Sequence, residues 1–244
     1  MREGTGTSRL LDMVPGRSKA VFEDWLASRA QAWRDAVEVV AMDGFTGFKT
    51  AATAQVPEAV TVMDPFHVVR LAGDALAECR RRVQQQVHGR RGRTGDPLYR
   101  CRNTLLKGVD LLTDKQAARL EALFADERYA EVEATWGIYQ KTILAYRNQD
   151  KTFGRWFLDQ MIQTVTVNVP PALVEVKKLA VTLSRRREDV LAFFDHPGTS
   201  NGPSEAINGR LEHLRGIALG FRNITNYVAR ALLHSGGFRP AFTR

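Results

Sequence analysis

Cysteine is scarce in this chain. Only Cys79 and Cys101 occur in 244 residues, with no C-x-x-C pair and no partner set at zinc spacing. That excludes a disulfide framework and a cysteine-based zinc site. Long apolar runs are missing too; nothing approaches the roughly 20 residues that a membrane-spanning helix needs. The opening stretch "MREGTGTSRLLDMV" lacks the charged and apolar blocks of a secretory signal. A cytoplasmic chain that does not meet the membrane is expected. No segment repeats at a fixed period. Acid is in deficit: 27 Asp and Glu stand against 35 Lys and Arg, a formal charge of +8. Such an excess favours a polyanionic partner, although a basic protein without one has the same balance.

Hydrophobic residues make up 44% and charged residues 25%, enough apolar content to bury a core. The first third alternates strand and helix signals. "SRLLDMV" (Ser8–Val14) reads as a strand closed by "PGR", followed by a helix over about 18–33. "VEVVAMD" (37–43) and "AVTVMD" (59–64) are short apolar runs rich in β-branched residues, with a short helix between them. Strand, helix, strand in that order implies parallel neighbours joined by a crossover. From Pro65 onward nearly everything reads as helix. The basic run "CRRRVQQQVHGRRGRTGDP" reads as a solvated loop or helix end. Further helices are expected near 97–107, 114–124, 127–148, 151–165, 170–184 and 186–195, and a final pair should begin near Gly202 and Thr225.

Three acidic residues stand out. Asp43 and Asp64 each follow an apolar strand, at the edge where parallel sheets bind ligands. Aspartate is also common there simply as a turn former or helix cap. Glu205 falls in the first turn of a helix opened by Gly202 and Pro203, where a carboxylate suits the helix dipole. It lies opposite the stripe Ile207, Leu211, Leu214 and Ala218, so it faces either solvent or a polar site. Carboxylates gathered from strand ends and a helix start can hold divalent cations for phosphodiester chemistry.

Two blocks carry a resemblance. "AMDGFTGFKTAATAQVPEAVTVMDPFHVVRLAGDAL" and "TSNGPSEAINGRLEHLRGIALGFRNITNYVAR" resemble the middle and the C-terminal catalytic block of DDE transposases of the ISL3 insertion-sequence family. The resemblance implies an α/β, predominantly helical fold: a ribonuclease-H-like core with a long all-helical insertion. It implies core residues 1–66, an insertion over 67–196 and C-terminal catalytic helices over 197–244. Asp43 matches the second catalytic aspartate, and Glu205 the catalytic glutamate. Both would be ligands in a two-ion Mg2+ (or Mn2+) site. Asp64 and His67 form a D-x-x-H that resembles an accessory signature. The first catalytic aspartate has no match in residues 1–17, since Asp12 lies inside "SRLLDMV", which resembles a later strand.

The implied activity is metal-dependent cleavage of DNA at transposon ends and strand transfer into target DNA. The expectation for this chain is a truncated transposase, inactive alone; the alternative is a non-catalytic remnant that binds DNA or an intact subunit. Its partner would be DNA, with a homo-oligomer in the complete architecture and a place at the nucleoid. Phosphate contacts are expected from Arg80, Arg81, Arg82, Arg90, Arg91 and Arg93, and from Arg215 and Arg222 around the "GIALGF" turn. "SRRR" (184–187) is a further candidate. Trp136, Tyr139 and Trp156 sit at helical spacing and read as core.

Overall fold

A computed structural model describes residues 8–237. The protein is predominantly helical, with one small two-stranded sheet among the described residues. It divides into two units: a discontinuous one, described over 8–61 and 200–237, and a helical one spanning Val62–Thr199.

The discontinuous unit opens on a segment without helix or strand over 8–18. Ser8–Val14 was expected to be a strand, but no described strand lies beside it. The Leu10 N–H instead donates to the Ser235 carbonyl, 2.8 Å away. Leu10 and Met13 pack against Ile207, Leu211 and Ala231, so these apolar residues are used, but against helices. The single helix expected over 18–33 is two: α1 (Lys19–Ala27), capped by the Ser18 hydroxyl, and α2 (Gln31–Asp35).

Strand β1 (Val39–Met42) follows, then α3 (Thr46–Gln55) and β2 (Val60–Met63). The two strands pair, and the Val60 N–H donates to the Glu38 carbonyl at 2.9 Å. The start of β2 thus lies beside the start of β1, so the strands run the same way, as the crossover order requires. Met42, Ala52 and Val56 form the small core beneath, with Phe22, Val37 and Val40 around it.

The helical unit begins with α4 (Pro65–His88). Pro65 suits the first helical position because its missing N–H costs nothing there. Val68, Ala72, Leu76, Cys79 and Val83 are its buried stripe. That stripe carries the helix into the arginine-rich run, read from sequence as loop or helix end, until Gly89, at φ +64°, closes it there in the left-handed conformation that glycine tolerates. After α5 (Pro97–Cys101) come α6 (Asp114–Phe124), α7 (Ala130–Arg147), α8 (Lys151–Val167), α9 (Val174–Arg185) and α10 (Arg187–Asp195). Thr113 and Gln116 start α6 with reciprocal capping hydrogen bonds. One large core joins these helices; Leu76, Leu98, Leu105, Leu158 and Leu183 are almost wholly buried in it.

The chain then returns to the discontinuous unit with α11 (Gly202–Ile217) and α12 (Ile224–Ser235).

Candidate functional site

Asp43 directly follows β1 and is exposed. Its Oδ1 accepts the Phe45 N–H at 3.0 Å, a turn that leads the chain into α3. Beside it is a cavity of about 170 Å3 lined by Phe22, Val40, Ala41, Met42, Asp43, Phe48 and Asn201. Asn201 precedes α11, and its carbonyl accepts the Glu205 N–H at 3.0 Å. The residue that opens the Glu205 helix therefore lines the same hollow as the aspartate at the end of β1.

Glu205 is exposed, while Ile207 and Leu211 on the same helix are buried. This is the direction that the apolar stripe dictates. Its carboxylate makes no hydrogen bond or ion pair with a described residue. Among the described residues no three His, Cys, Asp or Glu side chains gather as a metal site. Asp43 and Glu205 have the hard oxygen donors that Mg2+ takes, but the described residues do not complete the two-ion site that the sequence resemblance implies.

Asp64 is 4% exposed and caps α4: its Oδ1 accepts the Phe66 N–H at 2.7 Å. His67 is half-buried in the first turn of that helix. The geometry of the D-x-x-H includes an ordinary helix start.

Sequence reading attached no role to Asp12 beyond its place in a strand. The structure gives it one. Its Oδ2 accepts the Trp25 Nε1–H at 2.9 Å and lies 3.4 Å from Arg29, and its Oδ1 accepts the Met13 N–H. The indole hydrogen bond, then the backbone one, hold this carboxyl below its ordinary range. Asp12 thus fastens the opening segment to α1. A cavity of about 430 Å3 lies alongside, lined in part by Asp12, Trp25, Phe48, Ser204 and Ile207.

The structure sorts the arginines. Arg82 is folded inward, donating from Nε and Nη2 to Glu175 at 2.8 and 2.9 Å and lying 2.6 Å from Glu131. Arg90 pairs with Asp96 at 2.8 Å. Arg186 is buried against Asp189, and Arg187 is held by Asp159. These four are committed to internal carboxylates. Arg81, Arg91 and Arg93 are exposed and make no ion pair with a described residue. Arg215 pairs with Glu212 on the surface, and its carbonyl accepts the Gly220 N–H that closes the turn after α11. Arg222, beyond that turn, is exposed. Tyr139 is buried and Trp136 packs against the core, but Trp156 is 56% exposed, which corrects its expected core position.

A strand-end aspartate that shares a hollow with the residue opening the Glu205 helix, in a chain this basic, suits a protein that handles nucleic acid. The family is settled by comparison: the transposase family model of the ISL3 DDE type matches residues 2–231, and the chain belongs to that family. Transposases of insertion sequence element IS1557 from two Mycobacterium tuberculosis strains, CDC 1551 / Oshkosh and ATCC 25618 / H37Rv, are each 28% identical to it. The alignments cover 96% of this chain and 56% of each relative, so the chain spans little more than half their length. No solved structure matches. Transposases of this family generally use divalent metal ions. No helix among the described residues is long and apolar enough to cross a membrane.

Proposed function

We propose that the chain serves DNA transposition as the acidic-pair portion of a DDE transposase, with Asp43 and Glu205 as its catalytic carboxylates. The observation that carries this is the hollow shared by Asp43 and Asn201, which brings the two sequence blocks to one place. The parallel β1–α3–β2 unit beneath Asp43 supports a ribonuclease-H-like core. The discontinuity of that unit supports reading the helical unit as an insertion between its halves. In this reading Asp64 and His67 are accessory, and Arg215 and Arg222 lie near the DNA. Metal-dependent end cleavage and strand transfer require a third carboxylate beyond the described pair. Among the described residues the Asx turn orients the Asp43 carboxylate, and Glu205 stands in the first turn of α11 with its backbone N–H bonded to Asn201.

The test is an end-nicking assay on transposon-end duplex with Mg2+ or Mn2+. No nicking by this chain is expected. Nicking that disappears in both Asp43→Ala and Glu205→Gln would confirm the pair and overturn the need for a third ligand. Nicking that survives both substitutions would overturn the assignment of the pair.

A further inference from the structure

Around Tyr99, where the loop after α4 folds back over α5, the structure gathers arginines. Arg102's guanidinium stands 4.2 Å from the centre of the Tyr99 ring, and its Nη1 donates to the Tyr99 carbonyl at 2.8 Å. Gly92 lies against the other part of that ring: a Cβ there would come within 2.5 Å of Tyr99 Cδ2. The close approach seats Arg91 and Arg93, on either side of Gly92, at the same place. Asp96 holds the loop in this shape, accepting from Gln84, Arg90 and the Arg93 N–H at 3.2, 2.8 and 2.7 Å. Asp96 is itself 6% exposed, so it fastens the loop from beneath rather than neutralising its surface.

On α4, Arg80 is half-buried, and Arg81 and Arg102 are its charged neighbours. Burial first, and then those two like charges, hold its pKa below the ordinary arginine value. Arg81, Arg91, Arg93 and Arg100 are exposed and have no ion-pair partner among the described residues. Like charges kept together without ion-pair partners raise the energy of the free protein, and a polyanion relieves that cost.

We propose that the Tyr99 corner, with Arg80, Arg81, Arg91, Arg93, Arg100 and Arg102, is a binding surface for the phosphate backbone of duplex DNA. The proposal rests on the reading of the chain as a DNA-handling protein and adds Arg100 and Arg102 to the surface. It removes Arg82 and Arg90, which serve internal carboxylates. Recognition is by charge and backbone shape, with no base readout assigned.

The experiment is fluorescence anisotropy with the full chain in EDTA, using a labelled duplex at several salt concentrations around 0.1 M. The triple substitution Arg81→Gln, Arg91→Gln, Arg100→Gln is compared with Lys141→Gln, Lys177→Gln, Lys178→Gln, which removes the same charge from exposed sites on α7 and α9. The arginine triple is expected to lower the slope of log affinity against log salt by about 2 to 3 and to weaken binding at least about tenfold. The lysine triple is expected to lower the slope by less than about 1. Replacing the same three arginines by lysine is expected to keep the slope, which separates lost charge from lost fold. Equal effects of the two glutamine triples, or a lysine replacement as damaging as glutamine, would overturn the proposal. So would competition by transfer RNA as effective as by duplex. An unaltered chain that binds no duplex even at low salt would instead sink the DNA-handling reading itself.

Discussion

The two units differ most in how they are held together. The helical unit is built around one large core in which Leu76, Leu98, Leu105, Tyr129, Leu158, Ile162 and Leu183 are almost fully buried. The discontinuous unit relies on two clusters of three buried residues each, at Met42 and at Ile207, with a hollow of about 430 Å3 against the second. Its aromatics meet edge to face near the surface, Phe22 with Phe48 and Trp25 with Trp33. The acidic pair sits on the loosely packed unit. Regions with little buried apolar contact open more readily than a dense core, so the unit that carries the candidate chemistry is also the one more easily deformed.

That contrast can be broken by substitution. Leu158, fully buried in α8, should lose about 4 kcal/mol on truncation to Ala, read as a shift in the denaturant midpoint. Ile207→Ala should cost less, about 2 kcal/mol, because its surroundings already contain a hollow and lose fewer contacts. Equal losses at the two sites would erase the difference between the units.

Between those two effects falls the inward ion cluster. Arg82→Met leaves Glu175, 6% exposed, without its main partner, and should cost about 3 kcal/mol. The same cluster gives a pH signature. Arg82's hydrogen bonds, ahead of every other influence, hold the Glu175 carboxyl below its usual value of 4.5. The folded state therefore takes up this proton less readily than the unfolded chain. The stability so gained is full above the unfolded pKa and is lost as pH falls through the lower folded one. The gap in melting temperature between the unaltered chain and Glu175→Gln should be wide at neutral pH and narrow below about pH 4.5. A gap that widens on acidification would contradict the pairing.

Smallest of all should be Glu205→Gln. The residue is exposed, and its favourable position in the first turn of α11 opposes any repulsion from Asp43, so the net change in a thermal melt should stay within about 0.5 kcal/mol. A loss of several kcal/mol would mean that Glu205 supports the fold in a way that its exposure does not suggest.

The sequence foretold elements whose signals are local. Thr113 and Gln116 announce the start of α6, and Asp64–Pro65 the start of α4, because capping acts within one turn. The direction of Glu205 followed from the spacing of Ile207 and Leu211 alone. Features that depend on distant partners were illegible. Ser8–Val14 has the residues of a strand, yet a strand exists only if another lies beside it, and Leu10 found helix α12 instead. Arg82 resembled its neighbours in "RRR", but its partner Glu175 is 93 residues away, and nothing nearby in the sequence marks which arginine turns inward. Whether the basic run was loop or helix end stayed open in the sequence because its apolar signal thins to Cys79 and Val83, residues that the surrounding charge obscures. At the candidate site, the residue types in the two blocks were readable, whereas the hollow that Asp43 shares with Asn201 is a product of the assembled unit.

The interruption of one unit by the other also sets an order of events during synthesis. The helical unit is contiguous and ends at Thr199, so its core can close as soon as it leaves the ribosome. The discontinuous unit has its first part made before the helical unit and must wait for roughly 140 further residues before α11 and α12 exist, a delay on the order of ten seconds at ordinary elongation rates. During that interval Leu10 and Met13 lack their late-made neighbours Ile207, Leu211 and Ala231. The hollow that Asp43 shares with Asn201 can therefore form only after the whole helical unit has been made.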